Sequence, residues 1–155
     1  MKQTFLSTWR LSSLACFVVF HLCTVTASRA AILAGPITNT ANGHIYYLLS
    51  PTNWPSAEAE AVSLHGHLAT INDEEENTWV FNRFATNGGV ARNLWLGLND
   101  AAQEGNWVWV SGEAAAYRKW APGEPNSGGG FFPDEDQALM RGPALSSPEI
   151  GRAHV

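Results

Sequence analysis

The tripeptide Asn87-Gly88-Gly89 separates two parts of this chain that repeat at different periods, and that break limits the folds open to it. Before it the apolar residues recur at helical spacing. Ala57, Ala61 and Leu64 mark one face of a short helix expected to start at a Ser56 cap and stop at Gly66, with Glu58 and Glu60 turned outward. Trp79, Val80, Phe84 and Phe81 mark a second helix. It is expected to open with a capping box of Asn72 and Glu75, and its acidic run at residues 73–76 suits the positive end of the helix dipole. After the break the period is that of strands: LWLGL at residues 94–98 and WVWV at 107–110. Residues 44–49 read as an earlier strand, and residues 68–71 as a short buried one. Helices first, then strands with no helix between them, predict an α+β fold rather than a parallel α/β sheet.

Residues 1–30 read as a secretory signal peptide. Lys2 and Arg10 precede a mostly apolar stretch, and Ser28-Arg29-Ala30 offers small residues at the positions a signal peptidase reads. The apolar run is short for a membrane span and contains His21, so no membrane insertion of the mature chain is expected. Export predicts a secreted or cell-surface protein. Both cysteines, Cys16 and Cys23, fall in this segment, leaving the mature chain without a disulfide or a thiol metal site. It keeps six basic against fourteen acidic residues, a net charge of −8. That balance disfavours nucleic acid or an anionic membrane as partner. Residues 31–42, small and polar with one proline, read as a leader into a domain at 43–140.

The stretch WAPGEPNSGGGFFPDED, residues 120–136, gathers carboxylate and amide oxygens on a loop stiffened by proline and glycine. A hard cation such as calcium asks for such an arrangement, because an irregular loop can converge oxygens that a helix or strand would scatter. Phe131 and Phe132 lie in its glycine-rich part, where they could face a sugar or pack the loop down. His65 and His67 read as structural or solvated, and the Trp-rich segment at 107–110 as core.

The Glu-Pro-Asn triplet between a tryptophan and a Glu-Asp pair resembles the sugar-binding loop of the C-type lectins. HGHLATINDEEEN, LWLGLNDAAQEGNWVWVSGE, YRKWAPGEPN and EDQALM resemble other parts of that family's pattern and occur in its order. The resemblance implies a C-type lectin-like fold, two helices packed on small antiparallel sheets with a long calcium-binding loop. It implies that Glu124 and Asn126 ligate calcium while touching neighbouring hydroxyls of a mannose- or glucose-like sugar, across a cis Glu124–Pro125 bond. Glu135 would be a further ligand and hydroxyl acceptor. Asp100, Glu104 and Asp136 resemble an auxiliary calcium site.

The chain also departs from the family. Gln137 stands where a cysteine is usual, the loop from 127 to 134 is long, and no Trp-Asn-Asp segment closes the calcium shell. Glu124, Asn126 and Glu135 fall short of the roughly six to eight oxygens calcium prefers. Residues 141–155 read as an unpatterned, non-native tail. Its last six residues, IGRAHV, read as translated sequencing adapter. This tail is expected to add neither the closing ligands nor a final strand beside residues 45–49.

These features predict calcium-dependent carbohydrate binding. The alternatives are a lectin-like adhesion module that binds protein without calcium or sugar and, more remotely, a glycoside hydrolase using Glu124, Glu135 and Asp136. Carboxylates sharing a cation stay ionised, which removes the raised-pKa acid that glycoside hydrolysis needs. No nucleophile elbow, metalloprotease motif or phosphate loop is present, so no enzyme is expected.

Overall fold

The computed structural model describes residues 30–126, 135–143 and 150–153. The expected signal peptide, except Ala30, and the stretch carrying Phe131, Phe132 and Asp134 lie outside the described residues. Strand β1 (Ile32–Thr38) is followed by β2 (Ile45–Leu49), α1 (Trp54–Ser63), α2 (Glu74–Phe84), a 3-10 turn at Asn87–Gly89, β3 (Leu94–Asn99), β4 (Val108–Trp109), β5 (Gln137–Met140) and β6 (Ile150–Ala153). β1 and β2 form a two-stranded antiparallel sheet, and the others a four-stranded sheet in the order β4-β3-β5-β6. The expected α+β architecture is present.

Residues 32–38, expected to be a leader, are instead the strand that pairs with β2, with Ile32 opposite Leu49 and Thr38 opposite Ile45. The pairing is bulged around Gly35. Its φ is +116°, and a Cβ there would lie 2.7 Å from the Tyr46 carbonyl oxygen. Only glycine fits.

α1 begins one turn earlier than expected. Asn53 caps it by accepting from the Ser56 N–H at 2.9 Å, and Pro55 sits in its first turn. Its end is a Schellman motif: His65 takes φ +65°, while its N–H and that of Gly66 donate to Val62 O and Ala61 O, each at 3.0 Å. The left-handed residue is therefore His65 rather than Gly66. Ala57 and Ala61 are buried as expected, but Glu60, expected outward, is buried too. The Trp54 indole donates to Leu96 O at 2.7 Å and the Trp95 indole to Thr52 O at 2.9 Å, docking α1 on β3.

The cap of α2 lies one residue beyond the expected one. Asp73 accepts from the Glu76 N–H at 2.8 Å, and Glu76 reaches back to the Asn72 N–H at 2.7 Å. Glu76 is only 2% exposed, and it also accepts from the Asn42 amide at 2.9 Å and from the Tyr46 hydroxyl. It therefore ties the β1–β2 hairpin to α2. Burial first, and the Glu76 bond second, push the Tyr46 hydroxyl pKa far above its ordinary value.

Residues 68–71 do not form the expected strand. Ala69 O accepts from the Gly97 N–H, but the Leu68 N–H goes to the Glu58 carboxylate. Of the expected strand at 107–110, Val108 and Trp109 form the β4 ladder with β3, and the Val110 N–H donates to Gly97 O of β3 at 2.8 Å. The core joins Leu48, Ile71, Val80 and Phe84 to Leu96, Leu98, Trp109, Ala138, Met140 and Ile150. Ile150 corrects the reading of the tail as unpatterned. It is fully buried in β6, which pairs antiparallel with β5 rather than with residues 45–49.

Candidate functional site

The segment leading into the loop is held from two sides. Ile150 N–H donates to Lys119 O and Ala121 N–H donates to Ile150 O, each at 2.8 Å. Trp120 stacks edge-on against Trp107 with centroids 4.9 Å apart. The Tyr117 hydroxyl donates to Glu74 at 2.7 Å, and the Lys119 ammonium pairs with the same carboxylate at the start of α2. Lys119 first, then Tyr117, hold the Glu74 carboxyl below its usual range.

Beyond Ala121 the chain makes a type II-like turn. Pro122 and Gly123 occupy its corner, Gly123 has φ +87°, and the Glu124 N–H closes it onto Ala121 O at 2.9 Å. The Glu124–Pro125 bond is cis. Glu124 and Asn126 lie side by side, with the Asn126 Nδ2 donating to Glu124 Oε2 at 2.8 Å. The other carboxylate oxygen of Glu124 accepts from Arg141 Nη2 at 3.0 Å. The Glu124 side chain is 8% exposed and that of Arg141 29%. From the sequence Arg141 reads only as the first residue of the unpatterned tail, directly after EDQALM, with no role at the site.

A second group is assembled by strand register. Asn99, at the end of β3, faces Gln137, at the start of β5, so the next residue outward on each strand is an aspartate. Asp100 N–H donates to Asp136 O at 3.1 Å. The loop after β3 turns back, with Gly105 N–H donating to Asp100 Oδ2 at 2.9 Å, and brings Glu104 along. One oxygen each from Asp100, Glu104 and Asp136 then lie within 4.8 Å of one another. Asp100 is 1% exposed. A converging set of hard oxygens with one buried member fits a divalent cation of the calcium kind. Glu124 and Glu135 join no such group of three among the described residues.

Residues 50–131 match the family described as Lectin C-type domain. The chain belongs to the C-type lectin domain family. An alpha-N-acetylgalactosamine-specific lectin from Patiria pectinifera is 35% identical over 68% of this chain and 64% of its own length. The human C-type lectin domain family 4 member K is 34% identical over 68% of this chain and 31% of its own. This lectin domain thus spans between about one third and two thirds of those relatives. Among solved structures, the C-type lectin CEL-I from Cucumaria echinata aligns with a TM-score of 0.58 at 28% identity, covering 66% of this chain and 74% of that one.

The other candidates in this lectin domain have structural partners. His67 Nδ1 lies 2.6 Å from Glu58, in keeping with a structural histidine. Residues 73–76 are the start of α2, and Trp109 is core. No helix among the described residues is long and apolar enough to cross a membrane.

Proposed function

We propose that this lectin domain binds carbohydrate through calcium, at the loop carrying Glu124 and Asn126. The contact between these two side chains carries the reading: an acceptor-only carboxylate lies against an amide that can both ligate and donate. Adjacent equatorial hydroxyls of a mannose- or glucose-like ring suit that order of donors and acceptors. Glu135 would add an acceptor. Bound calcium would supply a Lewis-acidic point on which two sugar hydroxyls converge. Asp100, Glu104 and Asp136 would hold an auxiliary ion and stiffen the ends of β3 and β5. The role is binding rather than catalysis, in a secreted or cell-surface protein whose partner is a glycan or polysaccharide. The −8 charge of residues 31–155 speaks against nucleic acid.

Retention of the purified chain on immobilised mannose tests this. It should require calcium, be reversed by EDTA, and be competed by free mannose more strongly than by galactose. Retention unaffected by EDTA, or none at all, contradicts the proposal. The second reading, a lectin-like module that binds protein without calcium or sugar, is favoured by one observation: the guanidinium already on Glu124.

A further inference from the structure

The Glu124 carboxylate has both oxygens engaged by N–H donors, Arg141 on one and Asn126 on the other. A calcium ion on Glu124 would need at least one of those oxygens. It would also stand within a few ångströms of a guanidinium, where two like-signed charges in a partly buried place repel. We infer that Arg141 is the resident cation of this loop, holding Glu124 in the ion-free protein and competing with calcium for it.

The position of Arg141 is built rather than incidental. On one side Met140 is fully buried in β5. On the other, the Gly142 N–H donates to Asn93 Oδ1 at 2.8 Å, and a Cβ on Gly142 would come within 2.6 Å of the Arg92 carbonyl oxygen. The backbone carrying Arg141 is thus pinned on both sides, while its side chain is long enough to swing away. Glu124 is fixed in turn by its bond to Ala121 O. Such a pair holds residues 121–126 in shape without an ion, and it sets a threshold of calcium below which Glu124 stays on Arg141. Arg141 acts here by position and charge, without touching the sugar.

This inference rests on the calcium reading above, and its test separates the two. Arg141→Met removes the charge and keeps most of the stem; Arg141→Lys keeps the charge but loses the fork. Two quantities are measured on the full chain: amide hydrogen exchange at Glu124 and Asn126 in EDTA, and the calcium concentration giving half-maximal retention on mannose. Arg141→Met should speed exchange at those amides while leaving β3 unchanged. It should also lower the half-maximal calcium concentration by about tenfold, the scale of one lost charge-assisted contact. Arg141→Lys should fall between, and it carries the test if the methionine variant does not fold. Unchanged exchange in a folded variant overturns the inference. So does an unchanged calcium requirement, which leaves the carbohydrate reading standing. Faster exchange with no mannose retention by any form upholds Arg141 as the cation of the site and overturns the carbohydrate reading instead.

Discussion

At the Glu124 site the expected ligands, Glu124, Asn126 and Glu135, come from one loop stretch; at Asp100, Glu104 and Asp136 they come from two strand ends and the turn between strands. The loop group carries a recognisable motif, yet its carboxylate is already neutralised by Arg141. The strand-end group has no compact motif, yet three carboxylates converge there, one of them the buried Asp100. A motif therefore specifies which atoms are offered, whereas the fold decides which of them converge on one point.

The largest effect that would sharpen this comparison is at the loop. Glu124→Gln keeps the shape but removes the charge that a cation needs, and calcium-dependent retention on mannose should fall more than tenfold. Its calcium-induced rise in melting temperature should persist, because the strand-end group is untouched. Loss of both would mean that the two regions act as one. Next in size is Asp100→Ala, which strips the Gly105 N–H of its acceptor in a buried place. It should cost about 1–3 kcal/mol in EDTA, read as a lower melting temperature, and abolish most of the calcium-induced rise. A melting temperature equal to that of the native chain would deny the aspartate its structural role. The smallest effect is expected of Glu104→Gln at the exposed edge of the group. Stability in EDTA should change less than in Asp100→Ala, while the rise on adding calcium shrinks.

Much of this was legible in the sequence, for identifiable reasons. Both helices and β3 are long enough for their period to show, and the four ordered motifs pointed to the family. Grouping Asp100 and Glu104 with Asp136 followed from the resemblance, since nothing local links residues 36 apart except the β3–β5 register. The misses share a cause. β1 reads as a leader because ILAGPIT is strand only where Gly35 can bulge against Tyr46. Glu60 and Glu76 look solvent-facing by composition, yet they are buried, and Glu76 is claimed by partners 30 and 34 residues away. β6 lacks a pattern of its own and is strand by pairing with β5. Arg141 becomes visible only once β5 sets it beside Glu124. Each of these is a non-local contact.

At the strand ends three carboxylates already converge, whereas the proposed loop position is contested by Arg141. Calorimetric titration of the native chain with calcium tests that most directly. Two binding events are predicted: a tighter one removed by Asp100→Ala, and a weaker one removed by Glu124→Gln and tightened by Arg141→Met. A single event insensitive to Glu124 and Arg141, or no calcium binding at all, would contradict it.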